Sequence, residues 1–317
     1  MNRHRASLLR RMGFVLEATV VIPLGNLAAL LPWKTGRTLA SMIGLFIFRL
    51  NTSGRKHAHV NLDIIYGENA LSEKEKDHII KRLFMNIASS LFEYMKLKSI
   101  TDSNYLNFVY IQNGEACDRA LEEGKGVLAI SAHMGNWEIL GSVGAILWKN
   151  IAAVINRQLN PYTDKWLRKV RENRGRIKCL YHDARGLNYR IGFHLKQNGT
   201  IGLLADQRDL SCTLIVPFFG MPSLTADGAA KLHLLYGSPI VICFAVKQTD
   251  GKYLLTYDGP HHFDRSGNLK KDCEVIMTWV NSKYEEMIRK HPDQWFSLLT
   301  PRWERNRPED FKNRLWR

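Results

Sequence analysis

Cysteine is scarce in this chain. Its 317 residues hold five, Cys117, Cys179, Cys212, Cys243 and Cys273. None forms a Cys-x-x-Cys pair and the number is odd. Both features argue against a disulfide framework or a zinc module and fit a reducing compartment. Acidic residues are also in deficit: 30 Asp and Glu stand against 45 Lys and Arg, a formal net charge of +15. Such a balance draws polyanions: nucleic acid, an anionic membrane surface, a phosphorylated ligand or an acidic carrier protein. Aromatic residues do not interleave with the basic ones as a base-stacking platform requires, so nucleic acid is set aside. There is no internal repeat and no low-complexity tract. No Ala-x-Ala-like cleavage site follows the apolar N-terminal segment, which argues against a removed signal peptide. What is present, 45% apolar and 24% charged residues, fits a folded protein.

The N-terminus carries the longest apolar stretch. "MNRHRASLLRR" is basic and leads into "MGFVLEATVVIPLGNLAALLPW", which contains Glu17 and Pro23. Its uncharged run, residues 18–33, is shorter than the roughly 20 residues of a spanning helix. A second apolar run, "LASMIGLFIF" (39–48), follows Lys34 and Arg37 and precedes Arg49, Arg55 and Lys56. Basic residues on both sides orient a single span poorly. They suit helices lying in, or dipping into, the cytoplasmic leaflet on anionic head groups. One true span and a pair of buried core helices remain open alternatives. Residues 1–100 are thus expected to form a helical, membrane-associated part, with "SEKEKDHIIKRLFMNIASSLFEYMKLKS" (72–99) a helix started by a Ser72–Glu75 capping box.

From about residue 105 the pattern changes. "GVLAIS" (126–131), "IAAVIN" (151–156), "TIGLLAD" (200–206), "PIVICFAV" (239–246) and "KYLLTYDG" (252–259) read as strands. "NWEILGSVGAILWK", "NPYTDKWLRKVRENRG", "GLNYRIGFHLKQNG", "TADGAAKLHLLYG" and "EVIMTWVNSKYEEMIRKHP" read as helices, several ending at Gly or Asn. Strands apolar throughout, alternating with helices, predict an α/β fold: a mixed, mainly parallel sheet flanked by helices over residues 101–317, continuous with the N-terminal part. Active sites of such sheets collect at the carboxyl ends of the strands.

"SAHMGNWE" (131–138) stands at such an end. His133 falls in the turn, Gly135 permits a tight backbone, Asn136 suits a helix N-cap, and Glu138 falls in the helix's first turns. A spacing of five does not put two side chains on one helical face, but it works across a turn–helix junction. A carboxylate on one imidazole nitrogen fixes the tautomer and leaves the other nitrogen as a general base. Three further stretches occupy comparable positions. Arg157 in "VINRQLNP" is placed to bind a phosphate. "LLADQRD" sets Asp206, Gln207, Arg208 and Asp209 after an apolar run, and "VPFFG" offers Phe218 and Phe219 as walls of an acyl groove. Taken singly, each also reads as a surface arginine, a solvated loop or ordinary core packing.

Taken together, and in this order, "HMGNWE", "NRQLNPYTD", "ADQRD", "PFFGMPSLTADGAAKLHLLYGSPIV" and "HPDQWF" resemble the bacterial lipid A biosynthesis acyltransferases, the late acyltransferases of the lysophospholipid acyltransferase superfamily. The resemblance runs from the N-terminal apolar segment to about residue 307. It implies an inner-membrane enzyme facing the cytoplasm that moves a fatty acyl group from acyl carrier protein to a hydroxyl of a lipid A precursor. No metal and no cofactor would be needed, the thioester being the donor substrate. His133 would deprotonate the acceptor and Glu138 would orient His133. The alkoxide-like oxygen would attack the thioester directly, without an acyl-enzyme. Arg157, Asp206 and Arg208, together with Asn136 and Gln207, would position the substrate or balance its charge, and the basic stretch "WLRKVRENRGRIK" (166–178) would be a contact for the carrier or for phosphate. The sequence departs from the family in "QWFSLLTPRWER", which lacks the histidine often found after that Gln-Trp pair. "ADQRD" replaces the Pro-Glu-Gly-Thr-like block of the glycerolipid branch. The competing expectations are an acyltransferase acting on another glycolipid, aminolipid or phospholipid, a thioesterase using the same pair with water, and a non-catalytic membrane or nucleic-acid binder.

Overall fold

The structure, a computed structural model, describes residues 8–208 and 214–303. Asp209, Cys212 and the first residues of the basic N-terminal stretch lie outside them. Four helices come first: α1 (Leu8–Leu30), α2 (Trp33–Leu50), α3 (Thr52–Tyr66) and α4 (Glu73–Met95). The Ser72–Glu75 capping box is formed as expected. The chain continues through β1 (Val109–Gln112), α5 (Glu115–Glu122), β2 (Val127–Ser131), α6 (Trp137–Leu147), β3 (Ile151–Ile155), α7 (Pro161–Arg171), β4 (Ile177–Tyr181) and α8 (Leu187–Lys196). It ends with β5 (Thr200–Leu204), β6 (Ile215–Phe218), β7 (Met221–Leu224), α9 (Gly228–Tyr236), β8 (Ile240–Lys247), β9 (Tyr253–His261) and α10 (Leu269–Lys290).

Seven strands form one sheet in the order β1-β9-β8-β2-β5-β3-β4. Every neighbouring pair is parallel except β8 with β9. The mixed, mainly parallel sheet predicted from the apolar strands is therefore present. Five elements went unread in the sequence: β1, β4, β6, β7 and the short helix α5. β1 and β4 are edge strands in which exposed residues, Tyr110 and Gln112 in β1 and Lys178 in β4, interrupt the apolar signature of a central strand. β6 and β7 form a separate hairpin closed at Phe219 and Gly220, both at positive φ.

The N-terminal helices are tied to this sheet by packing. Ala58, Leu62, Ile80 and Leu83 of α3 and α4 share one buried cluster with Leu128, Ile130 and Ile242 of the central strands. α2 lies against α4 through a stripe of small residues four apart, Gly36, Ala40 and Gly44. A Cβ on Gly44 would come within 2.4 Å of the Phe84 carbonyl oxygen, so a side chain there would push the helices apart. α1 presents Phe14, Ala18, Ile22 and Gly25 to the body, and Trp166 of α7 fills the space beside Gly25. Its remaining surface, including Leu16, Val20, Leu24, Leu27 and Leu30, is exposed, as are Leu39, Met42, Ile43 and Phe46 of α2.

Candidate active site

The register of the two central strands builds the site. Parallel pairing sets Ser131 of β2 opposite Leu204 of β5. Two residues further along each chain stand His133 and Asp206, side by side at the carboxyl edge of the sheet. Imidazole Nδ1 and Asp206 Oδ1 are 2.7 Å apart, and the His133 backbone N–H donates to the same oxygen at 2.9 Å. The other carboxylate oxygen accepts from Trp295 Nε1 at 2.8 Å and Ser297 Oγ at 3.0 Å. Asp206 is completely buried. Burial would push its carboxyl up, but the His133 charge and the hydrogen bonds from His133 and Trp295 outweigh it and hold the group down at about 2. Behind it the buried Arg302 donates from Nε to the Asp206 backbone carbonyl at 2.7 Å and from Nη1 to Ser223 Oγ. No described residue bonds Nε2 of His133.

This arrangement corrects the expected pairing. The carboxylate on His133 belongs to Asp206. Glu138, in the first turn of α6, turns to Arg171 of α7 instead: Nε donates to its two oxygens at 3.1 and 2.9 Å and Nη2 joins the pair. Trp137 Nε1 adds a fourth bond at 3.1 Å. Burial would lower the Arg171 guanidinium, but Glu138 more than offsets this and raises it. The reason for the exchange is geometric: Glu138 leaves the helix toward α7, whereas β5 inserts next to β2 and delivers Asp206 directly.

The turn around His133 is held at nearly every polar atom. Phe296 N–H donates to the His133 carbonyl at 2.8 Å, Gly135 N–H to the Gln294 carbonyl at 2.8 Å, and Ser90 Oγ to the Gly135 carbonyl at 3.2 Å. Gly135 sits at φ +57°, where a Cβ would lie 1.7 Å from the Ala245 carbonyl oxygen. Glycine is required there on both counts. Asn136 is the N-cap of α6, accepting from Ile139 N–H at 3.1 Å as expected.

Beside this turn a cavity of about 220 Å³ opens between α4 and α7. Its apolar walls are Leu91, Tyr94, Met95, Ile155, Leu167, Trp137 and Phe296, and its polar lining is Ser90, Asn136, Asn156, Gln158, Glu138, Asp164, Arg168 and Arg171, two carboxylates with two guanidiniums. Trp137 connects it to the imidazole, standing edge-on to His133 at 4.9 Å and to Phe296 at 4.6 Å.

The remaining expected site residues are placed differently. Arg157 follows β3, one strand further from β2 than Asp206, and does not line the cavity. Its guanidinium donates to Asp183 at 2.8 and 3.0 Å and lies 3.8 Å over the Tyr181 ring. Gln207 is exposed and Arg208 half-buried on the loop after Asp206. Phe218 and Phe219 are buried against Trp295 and Trp303 in the core, not in a groove. The basic stretch after residue 165 turns partly inward: Arg168 pairs with Glu172 at 3.0 Å while lining the cavity, and Trp166 packs on α1. Trp295, Ser297 and Arg302, which complete the surroundings of Asp206, went unassigned in the sequence. Their only signal there was the "DQWFSLLTPRW" segment, which carries no local chemical motif.

An α/β sheet with a carboxylate-bound histidine at the carboxyl end of its central strand, next to a cavity with an apolar wall and a polar wall of paired arginines and carboxylates, has the layout of an α/β enzyme. The chain belongs to the bacterial lipid A biosynthesis acyltransferase family, whose family model matches residues 5–305. It is similar to lipid A biosynthesis acyltransferase 2 of Shigella flexneri, with 21% identity over 259 residues, 81% of this chain and 80% of that protein. It is accordingly an enzyme that transfers acyl groups and takes a lipid acceptor.

Proposed function

We propose that the protein transfers a fatty acyl group from the thioester of acyl carrier protein to a hydroxyl of a lipid A precursor, at the cytoplasmic face of the bacterial inner membrane. The observation that carries this reading is the His133–Asp206 pair at 2.7 Å beside the α4–α7 cavity. Asp206 holds the proton on Nδ1, so Nε2 is the basic nitrogen. It takes the proton of the acceptor hydroxyl as that oxygen attacks the thioester carbonyl carbon. A C–O bond forms, the tetrahedral centre collapses, the C–S bond breaks, and the departing thiolate takes the proton back from the imidazolium. No acyl-enzyme and no cofactor enter this sequence. The fixed Asp206 carboxylate stabilises the transient imidazolium as it forms. Glu138 and Arg171 act from the polar wall of the cavity, where the guanidinium pair with Arg168 suits the phosphate or carbonyl oxygens of the substrates.

Attachment to the membrane follows from the same surface. The segment Arg10–Leu30 has the length and composition of a spanning helix, and Ala18 is its one buried residue. At 1.5 Å per residue it is about 32 Å long, close to the roughly 30 Å of a hydrocarbon core. Yet it is fastened to the body along its length: Asn160 donates to the Phe14 carbonyl at 2.9 Å, Thr163 to Glu17 at 3.0 Å, and Lys96 to the Ala29 carbonyl at 2.7 Å. A helix bound in this way favours lying in one leaflet with its free apolar side in the acyl chains. α4 and α7, the walls of the cavity, are the elements α1 packs on, so a lipid acceptor entering beside α1 reaches the cavity without leaving the bilayer. The +15 charge suits the anionic surface, a phosphorylated acceptor and an acidic carrier.

The test is mass spectrometry of a lipid A precursor incubated with acyl carrier protein bearing mixed acyl chains, for wild type and His133→Ala. A gain of one acyl group with wild type alone is the expected result. An intact thioester and no gain would move the acceptor to another membrane lipid. A hydrolysed thioester and no gain would make the protein a thioesterase.

A further inference from the structure

Glu93 of α4 lies on the opposite side of the motif turn from Asp206, and the reaction as written does not use it. Its carboxylate is completely buried. One oxygen accepts from Arg37 Nε of α2 at 2.6 Å, with Ser89 Oγ at 3.4 Å. The other accepts from Asn136 Nδ2 at 2.7 Å and from Tyr253 OH at 2.6 Å. Lys247, at the end of β8, stands 3.9 Å away and donates to Ser89 Oγ at 2.9 Å. A buried carboxylate is tolerated only where its donors are fixed, and Arg37, Ser89, Asn136 and Tyr253 fix this one, while Arg37 Nη2 has no partner among the described residues.

Asn136 links this network to the chemistry. Its amide is used at both ends, the oxygen to cap α6 and the nitrogen to reach Glu93. Gly135 and His133 precede it in a turn with little freedom left. We propose that Glu93 is a positioning residue for the reaction: the buried anion through which Arg37 holds α2 to Asn136 and thereby sets the turn that carries His133. The N-terminal helical part is then wired into the active site and is more than an attachment. Where the effect is read in turnover, this inference rests on the acyl-transfer reading above.

The experiment is a reciprocal exchange on the full chain in detergent: Glu93→Gln, Asn136→Asp, and both together. Each single change leaves a mismatch, in the first by removing the anion and in the second by setting two carboxylates together. In the double variant the introduced amide donates to the introduced carboxylate and the number of charges is as in wild type. Each single variant is expected to lose at least about tenfold in kcat with KM within about twofold, and the double variant to recover most of that loss. Hydrogen exchange of the peptide covering residues 131–140 is expected to lose protection in the single variants and regain it in the double. If a single variant does not fold, Asn136→Ser, which keeps a capping oxygen but cannot reach Glu93, takes its place with the same two readouts. Wild-type kcat and protection in the single variants, or losses that simply add in the double, overturn the proposal. A purely structural role would move thermal stability alone and leave kcat per folded molecule unchanged, which overturns it too. A wild type without acyl transfer refutes the functional reading, and the exchange measurement then still decides the positioning role.

Discussion

Replacing Asp206 by Asn tests which carboxylate serves His133. The Asp206 carboxylate accepts from four donors: the His133 backbone N–H, His133 Nδ1, Trp295 Nε1 and Ser297 Oγ. An amide of the same shape has one accepting oxygen. With that oxygen toward His133, its NH₂ group faces the Trp295 N–H, donor against donor, across 2.8 Å. With the NH₂ toward His133, Nδ1 must accept, the ring proton moves to Nε2, and the base is blocked. Either way the competent tautomer loses its support. A positioned base is worth about 10²–10⁴-fold. We expect Asp206→Asn to lower kcat about 10³-fold at neutral pH, equivalent to about 4 kcal/mol, with KM little changed. Glu138→Gln should behave otherwise, because it loosens Arg171 at the cavity wall: KM rises and kcat falls less than about tenfold. The assay is transfer of labelled acyl groups to the lipid acceptor, with kcat and KM taken per folded molecule. If Asp206→Asn turned over within about threefold of wild type while Glu138→Gln lost 10³-fold, the pairing derived from the structure would be wrong for the working enzyme.

Three other outcomes are expected. Gly135→Ala sets a Cβ on the Ala245 carbonyl oxygen in a left-handed backbone. It should destabilise the fold by at least about 3 kcal/mol, the left-handed conformation and the overlap together, read as a lowered denaturation midpoint. Leu16→Glu with Leu27→Glu puts two charges on the exposed side of α1, and co-sedimentation with anionic vesicles should weaken by at least about 100-fold. Acid should weaken the fold through Asp206. Its folded value, about 2, lies below the ordinary 3.8, so its contribution of about 2 kcal/mol is complete above the ordinary value and lost as pH falls toward 2. Asp206→Asn should flatten that acid limb of the stability profile.

The class of fold, the five central and near-central strands, the capping box of α4, the N-cap Asn136 and the place of His133 in the turn after a central strand were all legible in the linear pattern. Each depends on local chemistry: apolar runs, capping oxygens, a glycine turn at a strand's end. The edge strands β1 and β4 were not legible because exposed residues, Tyr110, Gln112 and Lys178, break their apolar runs. The partner of His133 was not legible either. Within the segment "HMGNWE", Glu138 is the only carboxylate, so sequence proximity favours it. Asp206, 73 residues away, becomes adjacent because β5 inserts between β2 and β3 in the sheet. The same insertion moves Arg157 a strand outward, into the hands of Asp183. Periodicity and spacing by themselves determined the central strands, most of the helices and which residue could be the base. Strand order, which is set by the packing of the whole sheet and by no local signal, decided which carboxylate holds that base, which arginines reach the cavity, and which buried glutamate ties the N-terminal helices to the turn.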